Sequence, residues 1–330
     1  MGRSLRSPSG RAIESDMTGP MWVSAADQHA LVSIGDCADA LAAALRLAQT
    51  GEGRPVDPPR SLLGVSNGQL LVMPSTSMGH IGVKLVTVAD PSVLAGGPRI
   101  QGVHIQFDGK TLTPSAILDG IALTNVRTAA VSVLALRVLA DPGSSELLIL
   151  GAGPQASGHA RGIAAEWPIR RIRFASRRLE RARSLARELA GTLEGVDVVA
   201  LPAEEVDRAV ADADVIVCAT TSATPVFAGA PRDGSAIVAV GSHSPSKREL
   251  PGGLMRRAYV VVEDRPTALR EAGDVVMAIA DGTITEQDID ADLAELVRGA
   301  AVARDRPLVF KSVGMAWQDA VVADAILARV

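Results

Sequence analysis

A glycine-rich turn follows a short apolar run in the segment LLILGAGPQASGHA. Gly151, Gly153 and Ala156 have the G-x-G-x-x-A spacing there, directly after a predicted strand and at the start of a predicted helix. The first glycine permits a tight turn, the second lets the backbone approach a pyrophosphate, and the alanine lets helix and strand pack closely. The N–H groups at the start of the helix can then bind phosphate oxygens. Spacing and context together predict a dinucleotide-binding site.

The end of the next predicted strand, RIRFAS, indicates which dinucleotide is bound. An acid at that place would bind the ribose 2′-hydroxyl of NAD, but the strand ends in Ser176, Arg177 and Arg178. Two guanidinium groups can pair with a 2′-phosphate, and no carboxylate is present to repel it. NADPH is therefore favoured. NADH stays open, because the arginines could instead belong to the exposed face of the following helix.

Three cationic residues in the N-terminal part of the chain stand in unusual surroundings for charged groups. Arg60 follows two prolines, Lys84 interrupts the apolar run IGVKLVTV, and Arg127 lies in LTNVRTAA near the start of a long predicted helix. Such side chains can bind an anionic substrate. Each also has an ordinary explanation, because a strand lysine can extend its ammonium to solvent and an arginine at a helix start is usually exposed.

A histidine, His243, lies where the apolar run AIVAV changes into the polar segment GSHSPSKREL. Histidine titrates near neutral pH, so at the end of a buried strand it can donate a proton to a bound substrate. The alternative is a structural hydrogen bond that ends the strand. The other histidines have no second histidine or acid at zinc-ligand spacing, so no metal site is predicted. These are His29, His80, His104 and His159.

Strands and helices must position these residues. The runs RIRFAS, VDVVAL, DVIVCAT, SAIVAVG and AYVVVED are apolar at nearly every position, which predicts an α/β fold with a doubly wound parallel sheet covered on both faces. The chain before them has helical periodicity from residue 24, with Asp36 as an expected N-cap, and then several strand-like runs. Asp108 and Gly109 form a hairpin signal among those runs, so we expect a separate α+β part with a mixed or antiparallel sheet.

Composition limits the class of protein. The chain has 330 residues, of which 47% are hydrophobic and 2% aromatic, with a net charge of −4. This length suffices for two ordinary domains, and the absence of a basic balance or of stacking rings argues against nucleic-acid binding. No apolar run approaches the roughly 18 residues of a membrane span. Cys37 and Cys218 lie in apolar surroundings without metal or redox spacing, which predicts buried packing residues of a cytoplasmic protein.

Six segments occur in the order found in the ornithine cyclodeaminase/mu-crystallin family, which the chain resembles from about residue 22 to its C-terminus. They are MPSTSMGHIGVKLV, LTNVRTAAVS, ILGAGPQA, VIVCATTSATPVF, VGSHSPSKREL and FKSVGMAWQD. The resemblance implies a first domain, 21–127 with 310–330, that binds substrate and forms a homodimer. It implies a Rossmann domain over 128–309 that binds the dinucleotide, and residues 1–20 are expected to form a disordered leader.

The resemblance also implies roles for individual residues. Arg60 and Lys84 bind the carboxylate of a small amino or imino acid, and Met73 belongs to the same substrate site. Arg127 meets both the substrate and the cofactor near the nicotinamide. The further implied cofactor contacts are Pro154 and Gln155 at the pyrophosphate, Ser176 at the adenosine ribose, and Thr220, Val240 and Ser312 beside the remainder of the cofactor.

Two positions depart from the cyclodeaminases of that family. Where those enzymes have an aspartate that acts on the substrate's amino groups, this chain has His243, and where they have a glutamate two residues before the methionine, it has Leu71. A diamino acid brings a second ammonium group that needs an anionic partner in a desolvated pocket, and neither residue supplies one. Three cations with few acids suit a monoanionic substrate whose remainder is apolar.

We therefore expect NADPH-dependent reduction of a C=N bond. The substrate would be a cyclic ketimine acid, Δ1-pyrroline-2-carboxylate or Δ1-piperideine-2-carboxylate, giving proline or pipecolate, or an open-chain imine of a 2-oxo acid. Arg60 and Arg127 are expected to hold the carboxylate. Lys84 would bind it and relay a proton, and His243 would protonate or orient the imine nitrogen.

Three alternatives stay open. One is a cyclodeaminase or amino-acid dehydrogenase that works in the oxidative direction. Another is a non-catalytic, NADPH-dependent binder of small ligands, which the scarcity of aromatic residues supports little. The third is an amino-acid synthase of a secondary-metabolite pathway.

Overall fold

The computed structural model describes residues 19–48, 56–77, 79–94 and 98–330. Most of the expected leader, 1–18, lies outside these described residues. The chain divides into two compact units. The first consists of the described residues up to Ala130 together with Met315–Val330, and the second is Val131–Gly314.

The first unit is built on a mixed sheet, as the sequence predicts. Its strands are β1 (Met21–Val23), β2 (Ser61–Val65), β3 (Gly68–Ser77), β4 (His80–Ala89), β5 (Ile100–Asp108) and β6 (Pro114–Asp119). Among the described residues the strand order is β1-β6-β5-β4-β3-β2. β1 runs parallel to β6, and the other neighbours are antiparallel. The hairpin signal at Asp108 is confirmed, although β5 and β6 are joined by the longer loop 109–113.

The second unit is built on a parallel sheet. Its strands are β7 (Glu146–Leu150), β8 (Arg171–Ala175), β9 (Asp197–Leu201), β10 (Val215–Cys218), β11 (Ala236–Ala239), β12 (Tyr259–Val262), β13 (Ala291–Asp292) and β14 (Leu308–Lys311). All neighbouring strands are parallel, in the order β13-β12-β14-β11-β10-β7-β8-β9. Every residue of β10, β11, β12 and β14 is buried, as expected for strands covered on both faces. The predicted doubly wound, Rossmann-type sheet is confirmed.

Helices accompany both sheets. In chain order they are α1 (Ala25–Leu31), α2 (Ile34–Leu47), α3 (Gly120–Leu139), α4 (Pro154–Glu166), α5 (Leu179–Ala190), α6 (Val206–Asp212), α7 (Gly252–Arg257), α8 (Arg265–Glu271), α9 (Gly273–Ala280), α10 (Leu293–Val297) and α11 (Ala316–Leu327). In the first unit, α11 packs against β3, β4 and α2. This C-terminal helix therefore lies on the same sheet as the strand that carries Lys84.

The start of α2 differs from the prediction. The N-cap is Ser33, whose Oγ accepts a hydrogen bond from the Asp36 N–H at 3.0 Å. Asp36 occupies the third helical position, and its carboxylate accepts from the Ser33 N–H at 2.9 Å. Asp36 as N-cap is therefore wrong, because the two residues form a capping box in which the acid is the second member.

One helix, α3, is apolar enough to resemble a membrane span. Within the described residues it is the helix whose length and hydropathy pass that test, although it contains Arg127 and Arg137. Of its 18-residue apolar window, 72% is buried inside the protein. That burial is typical of a core helix.

Candidate active-site residues

The glycine-rich turn of the second unit has the backbone geometry that its sequence predicts. Gly151 has φ +138°, and a Cβ atom there would lie 2.4 Å from the Ala219 carbonyl oxygen. A side chain is therefore excluded by both conformation and space. Gly153 is the N-cap of α4, and a Cβ atom there would meet open space. Ala156 is fully buried, which permits the close packing of α4 on the sheet.

The carboxyl ends of five neighbouring strands lie side by side at one edge of the parallel sheet. Backbone hydrogen bonds run from Gly151 N to Ala175 O, from Ala219 N to Leu150 O, from Val240 N to Cys218 O and from Ser312 N to Ala239 O. Successive strands are placed on one side of β7 up to β9 and on its other side from β10, so the strand order reverses between β7 and β10, where open α/β sheets bind their ligands. The predicted cofactor residues of the second unit all follow these strand ends. They are Gly151, Gly153, Pro154, Gln155, Ala156, Ser176, Arg177, Arg178, Thr220, Val240 and Ser312.

The two arginines after β8 lie outside the helix that follows. Arg178 is the N-cap of α5, and Arg177 precedes it. Both are exposed, whereas the Ser176 hydroxyl is hydrogen-bonded to the backbone of Arg178 at 3.2 Å. Both arginines therefore precede the first residue of α5, so the alternative that places them on the exposed face of that helix does not apply.

Buried charged residues make hydrogen bonds that fix the loop carrying His243. Glu249 accepts hydrogen bonds from the Thr220 N–H and hydroxyl and from the Gly241 N–H, each at 2.7 Å. Asp274 in turn accepts from the Glu249 N–H at 2.7 Å. Burial raises the pKa of Glu249, although Lys311 opposes this effect. His243 itself is exposed on this supported loop.

Lys311, at the end of β14, completes the support of that loop. Its Nζ donates to the Ala239 carbonyl at 3.1 Å and to the Ser242 carbonyl at 2.6 Å. It also lies 3.2 Å from Asp274 Oδ2, with both side chains fully buried. The hydroxyl of the next residue, Ser312, donates a hydrogen bond to the Glu263 carboxylate at 2.8 Å. Sequence reasoning predicted a cofactor contact for Ser312, which stays a prediction, and it missed the charged residues that fix the neighbours of Ser312.

In the first unit, Lys84 and Arg127 converge on a carboxylate that the sequence analysis missed. Lys84 Nζ lies 2.7 Å from Asp319 Oδ2, and Arg127 Nε lies 3.0 Å from Asp319 Oδ1. Lys84 is 2% exposed, and Asp319 is not exposed at all. The two ordinary explanations, a strand lysine that reaches solvent and an exposed arginine at a helix start, do not apply, because each cation is buried against the same acid.

Further contacts complete the cluster around Lys84. The Thr124 hydroxyl lies 3.2 Å from Lys84 Nζ, and Gln318 Oε1 lies 3.4 Å from an Arg127 terminal nitrogen. Met73 is buried and is the cross-strand partner of Lys84 in the β3–β4 ladder. Arg60 acts electrostatically on Lys84, so it belongs to the same group of charges. The structure thus brings together Arg60, Met73, Lys84 and Arg127.

The surroundings change the proton affinities of the cluster. Burial lowers the pKa of Lys84 to about 8, with the positive charges of Arg127 and Arg60 adding to the effect and Asp319 opposing it. Burial alone would raise the pKa of Asp319, but its pairs with Lys84 and Arg127 outweigh burial and lower it. Burial also lowers the pKa of the neighbouring His104. Asp319 therefore stays ionised, while Lys84 titrates at mildly alkaline pH.

The description of the substrate site as poor in acids needs correction. Asp319 lies in the segment MAWQDAVV, and the apolar residues around it were the one sequence signal that could have revealed it. The surrounding residues of α11, such as Trp317 and Val321, are buried, so an acid among them must pair with a cation. The cluster of Arg60, Lys84 and Arg127 with Asp319 still has an excess of two positive charges.

A parallel sheet with a glycine-rich turn at its ligand-binding edge defines a Rossmann-type dinucleotide-binding protein. The chain belongs to the ornithine cyclodeaminase/mu-crystallin family, whose family model matches residues 19–330. This confirms the resemblance found in the six sequence segments.

Known proteins similar to this chain include reductases of cyclic imino acids. The Delta(1)-pyrroline-2-carboxylate reductase of Bacillus cereus is 34% identical over 93% of this chain and 95% of that protein. The ketimine reductase mu-crystallin of Mus musculus is 36% identical over 83% of this chain and 85% of its own length. The Thermococcus litoralis Delta(1)-pyrroline-2-carboxylate reductase, solved with NADH and L-proline, is 28% identical with a TM-score of 0.85, covering 93% of this chain and 96% of that one.

Proposed function

We propose that this protein reduces the C=N bond of cyclic ketimine acids with NADPH or NADH. Its substrates are Δ1-pyrroline-2-carboxylate or Δ1-piperideine-2-carboxylate, and its products are proline or pipecolate. The observation that carries this proposal is the buried cluster of Lys84, Arg127 and Asp319, with the half-buried Arg60 acting on Lys84, in a chain with relatives named for this reduction. Reduction adds one hydride to the imine carbon and one proton to the nitrogen.

The charge of the cluster supports a monoanionic substrate. Three cations, two of them buried, and one buried acid leave an excess of two positive charges, which a substrate carboxylate reduces. Guanidinium groups bind carboxylates with fixed geometry, so Arg60 and Arg127 orient the acid and thereby its neighbouring C2 atom. Lys84 adds a third hydrogen-bond donor to the carboxylate.

The second unit has the features that a dinucleotide requires. Gly151 forms the tight turn, the open space at Gly153 admits a phosphate, and the first N–H groups of α4 bind its oxygens. We assign the pyrophosphate to Gly153, Pro154 and Gln155, the adenosine ribose to Ser176, and the remaining contacts to Thr220, Val240 and Ser312. The reduced cofactor supplies the hydride when it is bound. Arg177 and Arg178 support a preference for NADPH, because both are exposed beside the predicted ribose site.

The proton for the imine nitrogen comes from His243 in this proposal. A histidine can donate a proton near neutral pH, and an iminium carbon accepts a hydride more readily than the carbon of a neutral imine. The buried pair of Glu249 and Asp274 fixes the loop on which His243 lies, which supports a defined position for this residue. Lys84, with its lowered pKa, serves as a second proton source beside the carboxylate.

An edge strand supports the homodimer that the family implies. β2 is the last strand of its sheet, and all its residues are exposed, including Leu62, Leu63 and Val65. Exposed apolar edge strands favour association with another chain. A Leu62→Glu/Leu63→Glu variant is expected to elute as a monomer in size-exclusion chromatography with light scattering. A cytoplasmic location is part of the proposal, supported by the free, buried thiols of Cys37 and Cys218.

Oxidation of NADPH and NADH, followed by absorbance against a panel of cyclic imino acids and of 2-oxo acids with amines, tests the activity. We expect turnover with five- or six-membered cyclic ketimines. A His243→Gln variant should lose about 100-fold or more in kcat while its affinity for L-proline stays within about twofold. The matched control is His29→Gln, which changes an exposed histidine on α1. Release of ammonia from L-ornithine or L-lysine without imine reduction would instead identify a cyclodeaminase.

A further inference from the structure

We propose that Asp319 is a positioning residue of the substrate site, which holds Lys84 and Arg127 so that their remaining N–H groups bind the substrate carboxylate. The inference rests on the proposed function and extends it to a residue of the C-terminal helix. All the residues that carry it lie in the first unit.

The geometry joins three separate elements through one side chain. Lys84 comes from β4, Arg127 from α3 and Asp319 from the first turn of α11. One carboxylate oxygen of Asp319 lies 2.7 Å from Lys84 Nζ, and the other lies 3.0 Å from Arg127 Nε. Each cation therefore meets a different oxygen of the same acid, so the separation of the two cations is set by the width of a carboxylate.

The hydrogen-bond donors of both cations can be counted. An ammonium has three N–H groups, and Lys84 directs two of them to Asp319 and Thr124. A guanidinium has five, and Arg127 directs one to Asp319 and one to Gln318. Among the residues that the structure describes, one N–H group of Lys84 and three of Arg127 lie outside these contacts. They are the donors that a substrate carboxylate can use.

The same contact controls the charge of Lys84. The groups that act on its ammonium are Asp319, Arg127 and Arg60, and His104 is its cross-strand neighbour on β5. Of these groups, Asp319 is the one whose charge and hydrogen bond favour the protonated lysine. Its removal therefore lowers the pKa of Lys84 below about 8, so that the lysine loses its proton closer to neutral pH.

Two variants separate the charge of Asp319 from its position, and a third serves as their control. Asp319→Asn keeps the size and removes the charge, and Asp319→Glu keeps the charge and moves it. The matched control is Asp324→Asn, the same change on α11 at an acid whose carboxylate accepts from Gln106 at 2.6 Å. The measurements are kcat and KM for a cyclic ketimine, the pH profile of kcat/KM, and the affinity for NADH.

We expect Asp319→Asn to lower kcat/KM by about 100-fold or more, mainly through KM, since misplaced binding groups have effects of this size. Its alkaline limb should move to lower pH by about one unit or more. Asp319→Glu should raise KM but keep the alkaline limb of the parent. Affinity for NADH should stay within about twofold in both variants, and Asp324→Asn should resemble the parent in every measurement.

An Asp319→Asn enzyme with the kcat/KM and the alkaline limb of the parent would overturn the proposal. Equal losses in Asp324→Asn would do the same, because they would indicate general damage to α11. If Asp319→Asn does not fold, the KM and pH profile of Asp319→Glu decide. If the parent reduces no cyclic ketimine, the proposed function fails separately, and calorimetric titration with L-proline then decides whether Asp319 positions the carboxylate site.

Discussion

Lys311 Nζ and Asp274 Oδ2 lie 3.2 Å apart inside the second unit, and neither side chain is exposed to solvent. The pair connects the end of β14 to the start of α9. Through the hydrogen bonds of Lys311 to Ala239 and Ser242, it also fixes the loop that carries His243. A buried ion pair that joins these segments ties the stability of the sheet to the shape of the proposed active site.

Loss of either partner should destabilise the protein strongly. Asp274→Asn and Lys311→Met each leave an uncompensated buried charge, so we expect each to lower the free energy of unfolding by about 3–5 kcal/mol. Urea denaturation followed by circular dichroism measures this. The control is Asp281→Asn, which removes an exposed pair with Arg248 and should leave the midpoint unchanged. Equal midpoints for all three variants would contradict the role assigned to the buried pair.

The two glycines of the dinucleotide turn should respond differently to alanine. Gly151→Ala forces a side chain into φ +138° and against Ala219, so it should lower stability by about 1–3 kcal/mol from the backbone alone. Gly153→Ala meets open space at φ −106° and should fold normally. Its methyl group would instead obstruct the pyrophosphate, weakening NADH binding by about tenfold or more. Thermal unfolding and fluorescence titration with NADH separate the two effects, and tight NADH binding by Gly153→Ala would remove the phosphate from this turn.

Cofactor preference should depend on the arginines after β8. We expect Arg177→Ala or Arg178→Ala to raise KM for NADPH by about 10–100-fold, because a charged hydrogen bond to the 2′-phosphate is lost, and to leave KM for NADH unchanged. Arg181→Ala, on the exposed side of α5, is the matched control. If neither variant changes the ratio of the two KM values, the 2′-phosphate is bound elsewhere or not at all.

Substrate binding should weaken as Lys84 loses its proton. Burial lowers the pKa of Lys84 to about 8, so above that pH the ammonium becomes a neutral amine and the carboxylate loses a charged partner. The affinity for pyrrole-2-carboxylate, a planar acid whose ring nitrogen does not titrate in this range, should therefore decrease above about pH 8. Lys84→Arg should abolish this alkaline limb of the affinity profile, the decrease above about pH 8, since a guanidinium stays protonated. A limb that persists in Lys84→Arg would belong to another group.

The same shift has a defined sign for stability. The folded pKa of Lys84, about 8, is below its ordinary value of 10.5, so between these pH values the unfolded chain binds more protons than the folded one. Stability contributed by this residue therefore increases with pH across that window. Activity and stability should respond to alkaline pH in opposite directions at this one side chain.

The sequence predicted the parts of the molecule that repeat a simple pattern. Strands that are apolar at every position, such as β10 and β11, indicate a sheet covered on both faces, and the glycine spacing identifies its ligand-binding edge. Lys84 and Arg127 were recognisable because charge is unusual in their surroundings. Asp319 was not, because its partners precede it in the chain by many residues and only the fold brings them together.

The wrong N-cap of α2 and the missed support of the His243 loop have separate physical reasons. Asp36 and Ser33 are both good capping residues, and the choice between them depends on which one has extended backbone, which the sequence does not reveal. The support of the His243 loop by Glu249, Asp274 and Lys311 likewise depends on three segments that are distant in sequence. The predicted contacts of individual residues with substrate and cofactor stay predictions, for which the variants above are the tests.

The position of Asp319 in the last helix has a consequence for biosynthesis. While the nascent chain emerges from the ribosome, β4 and α3 are translated long before α11, so the carboxylate that pairs with Lys84 and Arg127 is synthesised after both of them. A polypeptide released before Asp319 is translated would therefore contain both cations without the carboxylate against which they are buried in the folded first unit.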